Sequence, residues 1–132
     1  MKLITRDTDY AVNALFYMAE DKDRVFTVAE LVKKLGIPRA FLRRILQVLG
    51  KRGLVRSFKG NGGGFRLSIS PEKIFLSEIM EIFQGSFKIN ECLLKGKACP
   101  NIKTCRLKKK IDSIERYIYS ELKSVTLDSL LE

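Results

Sequence analysis

The chain has 132 residues, with 25 basic against 15 acidic side chains, no histidine and a formal net charge of +10. That length fits one domain, or a small domain with an extension. The cationic surplus points to a polyanionic partner, nucleic acid ahead of a membrane surface, and hydrophobic residues at 45% supply a core.

No apolar run reaches the ~18 residues of a membrane-spanning helix. The first residues, MKLITRDTDYAV, are interrupted by Arg6, Asp7 and Asp9, unlike a secretory signal. The chain therefore reads as cytoplasmic, with no membrane partner. Cytosolic thiols stay reduced, so three cysteines argue for metal binding, redox sensing or inert packing over a disulfide framework. No Ser/His/Asp set, nucleotide loop or suggestive carboxylate pair points to an enzyme.

A first helix is expected from about Asp9 to Glu20. Val12, Leu15, Phe16 and Ala19 form its apolar stripe, and Asp7, Thr8 and Asp9 supply capping groups and negative charge at its start. Thr27 with Glu30 three residues on has the pattern of a capping box. It opens a second helix, with Val28, Leu31, Val32 and Leu35 as its core face. Gly36-Ile37-Pro38 ends that helix and starts another, whose buried stripe is Leu42, Ile45, Leu46 and Leu49 and which stops at Gly53. Two short helices joined by a tight glycine-containing turn read as a helix-turn-helix.

Residues Leu54 to Phe58 and Phe65 to Ile69 carry strand formers on either side of Gly60, Gly62, Gly63 and Gly64. This predicts a β-hairpin with a flexible tip. The fold class is thus mainly α with a small β wing, a winged helix-turn-helix. After Pro71, Leu76, Ile79, Met80 and Phe83 predict a helix closed by Gly85. A long helix is expected from about Thr104 to Ser124, and Thr126 can cap a short final one. The expected organisation is a DNA-binding unit over 1–85, a cysteine loop over 86–106, and a long helix with tail over 104–132.

On the second helix of the motif, Arg39, Arg43 and Gln47 recur every four residues, opposite the leucine-rich stripe. Arg pairs bidentately with guanine and Gln with adenine in the major groove, and the start of a recognition helix reaches base edges. The wing adds Arg56, Ser57, Lys59 and Arg66 around its glycines. Gly60, Gly62 and Gly63, lacking Cβ atoms, let backbone approach a phosphate or enter the minor groove. On the long helix Leu107, Ile111, Ile114, Ile118 and Leu122 form a stripe that no later segment is large enough to cover. Either the helix folds back on its own domain or two copies pair as a homodimer. Pairing suits a helix-turn-helix protein reading an inverted repeat in double-stranded DNA.

The segment ECLLKGKACPNIKTC holds all three cysteines, Cys92, Cys99 and Cys105, among Lys95, Lys97 and Lys103. Thiolates are the usual ligands of iron–sulfur clusters, and nearby cations favour the thiolate. Zinc usually shows a Cys-x2-Cys pair. The spacing here suits a cluster, 4Fe–4S or 2Fe–2S, over a single ion, with a thiol switch and inert packing as alternatives. Without histidine, a fourth ligand must be an oxygen donor, backbone, water or an outside thiol.

The motifs MKLITRDTDYAV, VAELVKKLGIPRAFLRRILQVLGKRGLVRS, KGNGGGFRL and the cysteine segment, in that order, resemble the Rrf-two family of bacterial winged-helix regulators, with IscR- and NsrR-like members. The resemblance covers nearly the whole chain. It implies a dimeric transcription factor, usually a repressor, in which Cys92, Cys99 and Cys105 hold an iron–sulfur cluster that senses redox state, iron or nitric oxide. Some members take a fourth ligand from a His three positions after the last cysteine; here that position is Lys108. Others use a carboxylate near the N-terminus of the partner subunit, which matches Asp9, with Asp7 and Glu91 as weaker candidates. Other members lack these cysteines and sense by other means. Two departures stand out: the first cysteine gap is six residues where five is common, and Lys59 replaces the wing's usual Arg, keeping the charge without the planar fork. Rival readings are a cysteine-independent or thiol-based regulator of this fold, and an iron–sulfur carrier or electron-transfer module.

Overall fold

The computed structural model describes residues 2–89 and 104–131. Its elements run α1 (Arg6–Ala19), α2 (Val28–Leu35), α3 (Arg39–Lys51), β1 (Val55–Phe58), β2 (Gly64–Leu67), α4 (Leu76–Gln84), α5 (Arg106–Ser124) and α6 (Leu127–Leu130), with one 3-10 turn at Pro71–Lys73.

Helix α1 begins three residues before the expected start. A capping oxygen must sit on an extended residue just outside the helix, and Thr5 (φ −81°, ψ 165°) meets that condition, accepting the Thr8 N–H at 3.4 Å. Asp7 and Asp9 are therefore not caps. They lie in the first turn, where negative charge faces unpaired N–H groups. Thr8 is fully buried.

Thr27 caps α2 by accepting the Glu30 N–H at 3.1 Å. The Glu30 carboxylate does not complete the reciprocal half of a capping box. It turns to Arg24, with Nη2 2.7 Å from Oε2, and to the Tyr17 hydroxyl at 3.1 Å. Arg24 holds the Glu30 carboxyl below the usual carboxylate range. Gly36, in the left-handed region, ends α2, and Pro38 stands just before α3 as its cap residue. Leu42, Ile45, Leu46 and Leu49 of α3 are completely buried, as the stripe predicts, with Ala14, Leu15 and Met18 of α1 and Leu31 of α2.

The strands are antiparallel, in the register Val55↔Leu67, Arg56↔Arg66, Ser57↔Phe65 and Phe58↔Gly64. They are shorter than their hydrophobic runs because Leu54 and Ile69 lie outside the ladder. Phe26, before α2, forms an isolated antiparallel bridge to β2: its N–H and C=O pair with the C=O and N–H of Phe65, both at 2.8 Å. This fixes the hairpin against the helix-turn-helix.

Helix α5 packs on α4, yet none of its 19 residues is buried. Leu107 is 71% exposed, Tyr117 68% and Ile114 38%, while Ile111, Ile118 and Leu122 are half-buried. Beyond α5 the chain returns to the core. Leu76 N–H donates to the Val125 carbonyl at 3.0 Å and Leu127 N–H to the Ile74 carbonyl at 2.8 Å. Leu127 is 2% exposed, and Thr126 and Ser129 form a reciprocal capping box. The far end of α5 is thus anchored while much of its apolar stripe stays uncovered. Among the described residues no helix is long and apolar enough to cross a membrane.

Candidate functional site

The burial of α3 divides it sharply. One side carries the four completely buried apolar residues; Arg39, Arg43 and Gln47 are all exposed on another. Pro38 and Gly36 set the turn that presents the helix's first residues outward. Sequence reading missed a neighbouring cluster. Arg44 of α3 donates to Asp7 of α1 at 2.8 Å, and its guanidinium lies 5.5 Å from the Phe41 ring. Arg6 stands over the same ring at 4.4 Å, and Tyr10 packs against it at 6.5 Å between centroids. The available signal was a phenylalanine set among arginines, half-exposed where the stripe had already been filled.

On the hairpin Arg56 and Arg66 are directly opposite. Like charges so placed repel. Both lie near the Phe58 ring, at 5.5 and 5.1 Å from its centroid, which offsets part of that cost. An anion between them would relieve the rest. Ser57 and Lys59 are exposed beside them. The glycines have a reason the sequence did not reveal. A Cβ on Gly63 would strike the Phe58 carbonyl, and one on Gly64 (φ +153°) would strike the Phe26 carbonyl. Space at Gly60 and Gly62 is open. Gly64→Ala should therefore destabilise the wing by about 1–3 kcal/mol through backbone strain, visible as a lower urea midpoint. An unchanged midpoint would contradict the Phe26–Gly64 packing.

Of the three cysteines, Cys92 and Cys99 lie outside the described residues. Cys105 is half-buried and caps α5, its Sγ accepting the Lys108 N–H at 3.4 Å. The long helix therefore starts at Arg106 rather than Thr104. Lys108 turns its ammonium to Asp112 at 2.6 Å, which holds the Asp112 carboxyl below its ordinary range. Asp9 is exposed on the first turn of α1. Its backbone carbonyl accepts from Asn13 at 2.9 Å, and its carboxylate has no hydrogen bond or ion pair among the described residues. Those residues contain no group of three His, Cys, Asp or Glu side chains placed to hold a metal. Thiolates are the usual donors to an iron–sulfur cluster, and of the three cysteines Cys105 alone is among the described residues.

A sequence model of the Rrf2 (Rrf-two) family, described as "Iron-dependent Transcriptional regulator", matches residues 4–132. The chain belongs to the Rrf2 family. It is 36% identical over 124 residues to an HTH-type transcriptional regulator of Aquifex aeolicus (strain VF5), covering 92% of this chain and 86% of that one. It is 28% identical over 134 residues to the HTH-type transcriptional regulator NsrR of Bacillus subtilis (strain 168), covering 100% and 91%. In fold it matches CymR, the global cysteine regulator of B. subtilis, with a TM-score of 0.82 at 20% identity over 99% of this chain and 97% of that one. Rrf2 proteins are transcription regulators and not enzymes, and the expected winged-helix architecture is the one found.

Proposed function

We propose that this Rrf2 protein is a cytoplasmic homodimeric repressor that binds an inverted repeat and senses through an iron–sulfur cluster, 4Fe–4S or 2Fe–2S. The observation that carries the DNA reading is the split face of α3. A helix whose apolar side is completely buried offers its three long polar side chains outward beside a hairpin bearing opposed arginines. Arg39, Arg43 and Gln47 enter the major groove and read base edges. Arg56, Ser57, Lys59 and Arg66 hold phosphates, and Gly60, Gly62 and Gly63 bring the wing backbone close to the duplex. The test is enrichment of duplexes from a random-sequence pool by the purified protein. Recovery of an inverted repeat supports the reading, and recovery of no sequence contradicts it.

The exposed Leu107 and Ile114 with half-buried Ile111, Ile118 and Leu122 support pairing through α5. In this reading 1–85 is the DNA-binding unit, 86–106 the sensing loop and 104–132 the dimer helix with its tail. Cys92, Cys99 and Cys105 would supply three thiolates, and Asp9 of the opposite subunit the fourth ligand. When bound, the cluster supplies a centre responsive to redox state, iron or nitric oxide. The chain's own part is mechanical. Cys105 is also the cap of α5, so movement of its sulfur loosens or restores the first turn of the dimer helix. Asp9 stands two residues from Asp7, which holds Arg44 of the recognition helix. A change at either end shifts the population between dimers with different recognition-helix spacing.

Because Thr5 caps α1, Asp9→Ala should cost little stability, about 0.3–1 kcal/mol from the lost first-turn charge. It should nevertheless alter the visible spectrum and speed bleaching in air. Cys105→Ala should abolish the visible bands. An Asp9→Ala protein with wild-type spectrum and lifetime would remove Asp9 from the ligand set. A second reading, a thiol-based or cysteine-independent regulator, is favoured by the structural use Cys105 already has as a cap; anaerobic protein that is colourless yet selects DNA would support it.

A further inference from the structure

Gln84, the last residue of α4, has a part that neither the helix-turn-helix nor the cysteine loop accounts for. Its side-chain amide holds the start of α1 at three points. Oε1 accepts the Thr5 N–H at 2.9 Å and the Thr8 hydroxyl at 2.7 Å, and Nε2 donates to the Leu3 carbonyl at 3.1 Å. Thr8 is completely buried, and its hydroxyl also lies 3.1 Å from the Thr5 hydroxyl, so losing the Gln84 acceptor would force this buried group to re-pair. The same turn of α1 carries Asp7, bonded to Arg44 of α3 at 2.8 Å. On its other side Gln84 lines an open cavity of about 350 Å³ between α4 and α5, with Met80, Phe87, Tyr119 and Leu122 among its neighbours there. One amide therefore holds the turn of α1 that is bonded to the recognition helix.

We propose that Gln84 is a positioning residue for sequence recognition: it sets the start of α1, and through Asp7–Arg44 the angle of α3. This rests on the DNA reading given above. Gln84 does not touch DNA in this account. It aims the side chains that do, so its loss should impair discrimination and leave charge-driven binding intact, because non-specific affinity follows phosphate contacts alone. Discrimination is lost because base contacts need an orientation that phosphate contacts tolerate losing. The Asp7–Arg44 pair lies further along the same route. Once Gln84 is gone, breaking that pair has little left to disturb, and the two changes should not add.

The experiment measures binding of full-length protein to two duplexes at one salt concentration: an inverted repeat enriched by the wild type, and a scrambled duplex of equal length. Gln84→Leu should lower the ratio of the two affinities by about tenfold, within the usual range of inter-site coupling, with affinity for the scrambled duplex unchanged. Gln84→Glu keeps acceptors for Thr5 and Thr8 but sets a carboxylate oxygen against the Leu3 carbonyl, and should retain more of the ratio than Gln84→Leu. Asp7→Asn should lower the ratio alone and add less than about twofold in the Gln84→Leu background. If Gln84→Leu does not fold, Thr8→Val, which removes the hydroxyl at equal volume, carries the same test. Equal weakening on both duplexes, or additive effects of the two changes, overturns the proposal. A wild-type protein that enriches no duplex overturns the DNA reading, and the proposal falls with it.

Discussion

Binding to the enriched inverted repeat should weaken by about 10³–10⁵ as salt rises from about 50 to 200 mM, the behaviour of a protein neutralising roughly 6–10 phosphates. The expectation follows from the charge layout. The net charge is +10, and the chain exposes Arg39, Arg43, Arg56 and Lys59, with Arg66 half-exposed, on the helix-turn-helix and wing. Arg43 should differ from Lys59 in kind. Arg43→Ala should cost about 1–3 kcal/mol and relax preference at one base pair, because a bidentate base contact is lost. Lys59→Ala should weaken binding evenly across sequences and reduce the salt slope by about one. Titrations at several salt concentrations decide the matter. A flat dependence would mean that these cations do not meet phosphates.

The second large effect concerns α5. The wild type should sediment as a dimer at micromolar concentration, and Ile114→Asp as a monomer. An unpaired charge in a buried interface costs about 3–5 kcal/mol. The monomer should still fold, because none of α5 is buried within its own chain and Leu127 anchors the tail independently. Affinity for the inverted repeat should fall towards that for a single half-site. A wild type that sediments as a monomer would contradict pairing through α5 and remove the basis for reading a two-fold site.

How much of this was legible in the sequence depended on range. The α3 stripe, the Thr27 and Thr126 caps and the hairpin are set by residues a few positions apart, and periodicity or turn chemistry exposes them. The start of α1 was misplaced because Asp7, Thr8 and Asp9 all have capping side chains, and only the backbone shows that Thr5 is the extended residue. Gln84's hold on Thr5 and Thr8 spans 79 and 76 positions, and Asp7–Arg44 spans 37. No local pattern signals such pairs. The bridge between Phe26 and Phe65 was hidden in the same way. It explains why Gly64 cannot carry a side chain, where the glycine run alone suggested only closeness to DNA. The exposed face of α5 was visible as a stripe too large for the remaining sequence to cover, and Cys105 as a possible ligand. That the same cysteine caps the helix was not visible, since cysteine is not a usual capping residue.

The most direct test of a cluster-sensing regulator is the visible spectrum, with iron and sulfide counts, of anaerobically purified protein alongside Cys92→Ala, Cys99→Ala and Cys105→Ala. The expected result is a coloured wild type with about two or four irons and matching sulfide per chain, and colourless variants. A colourless wild type without iron or sulfide would contradict the account.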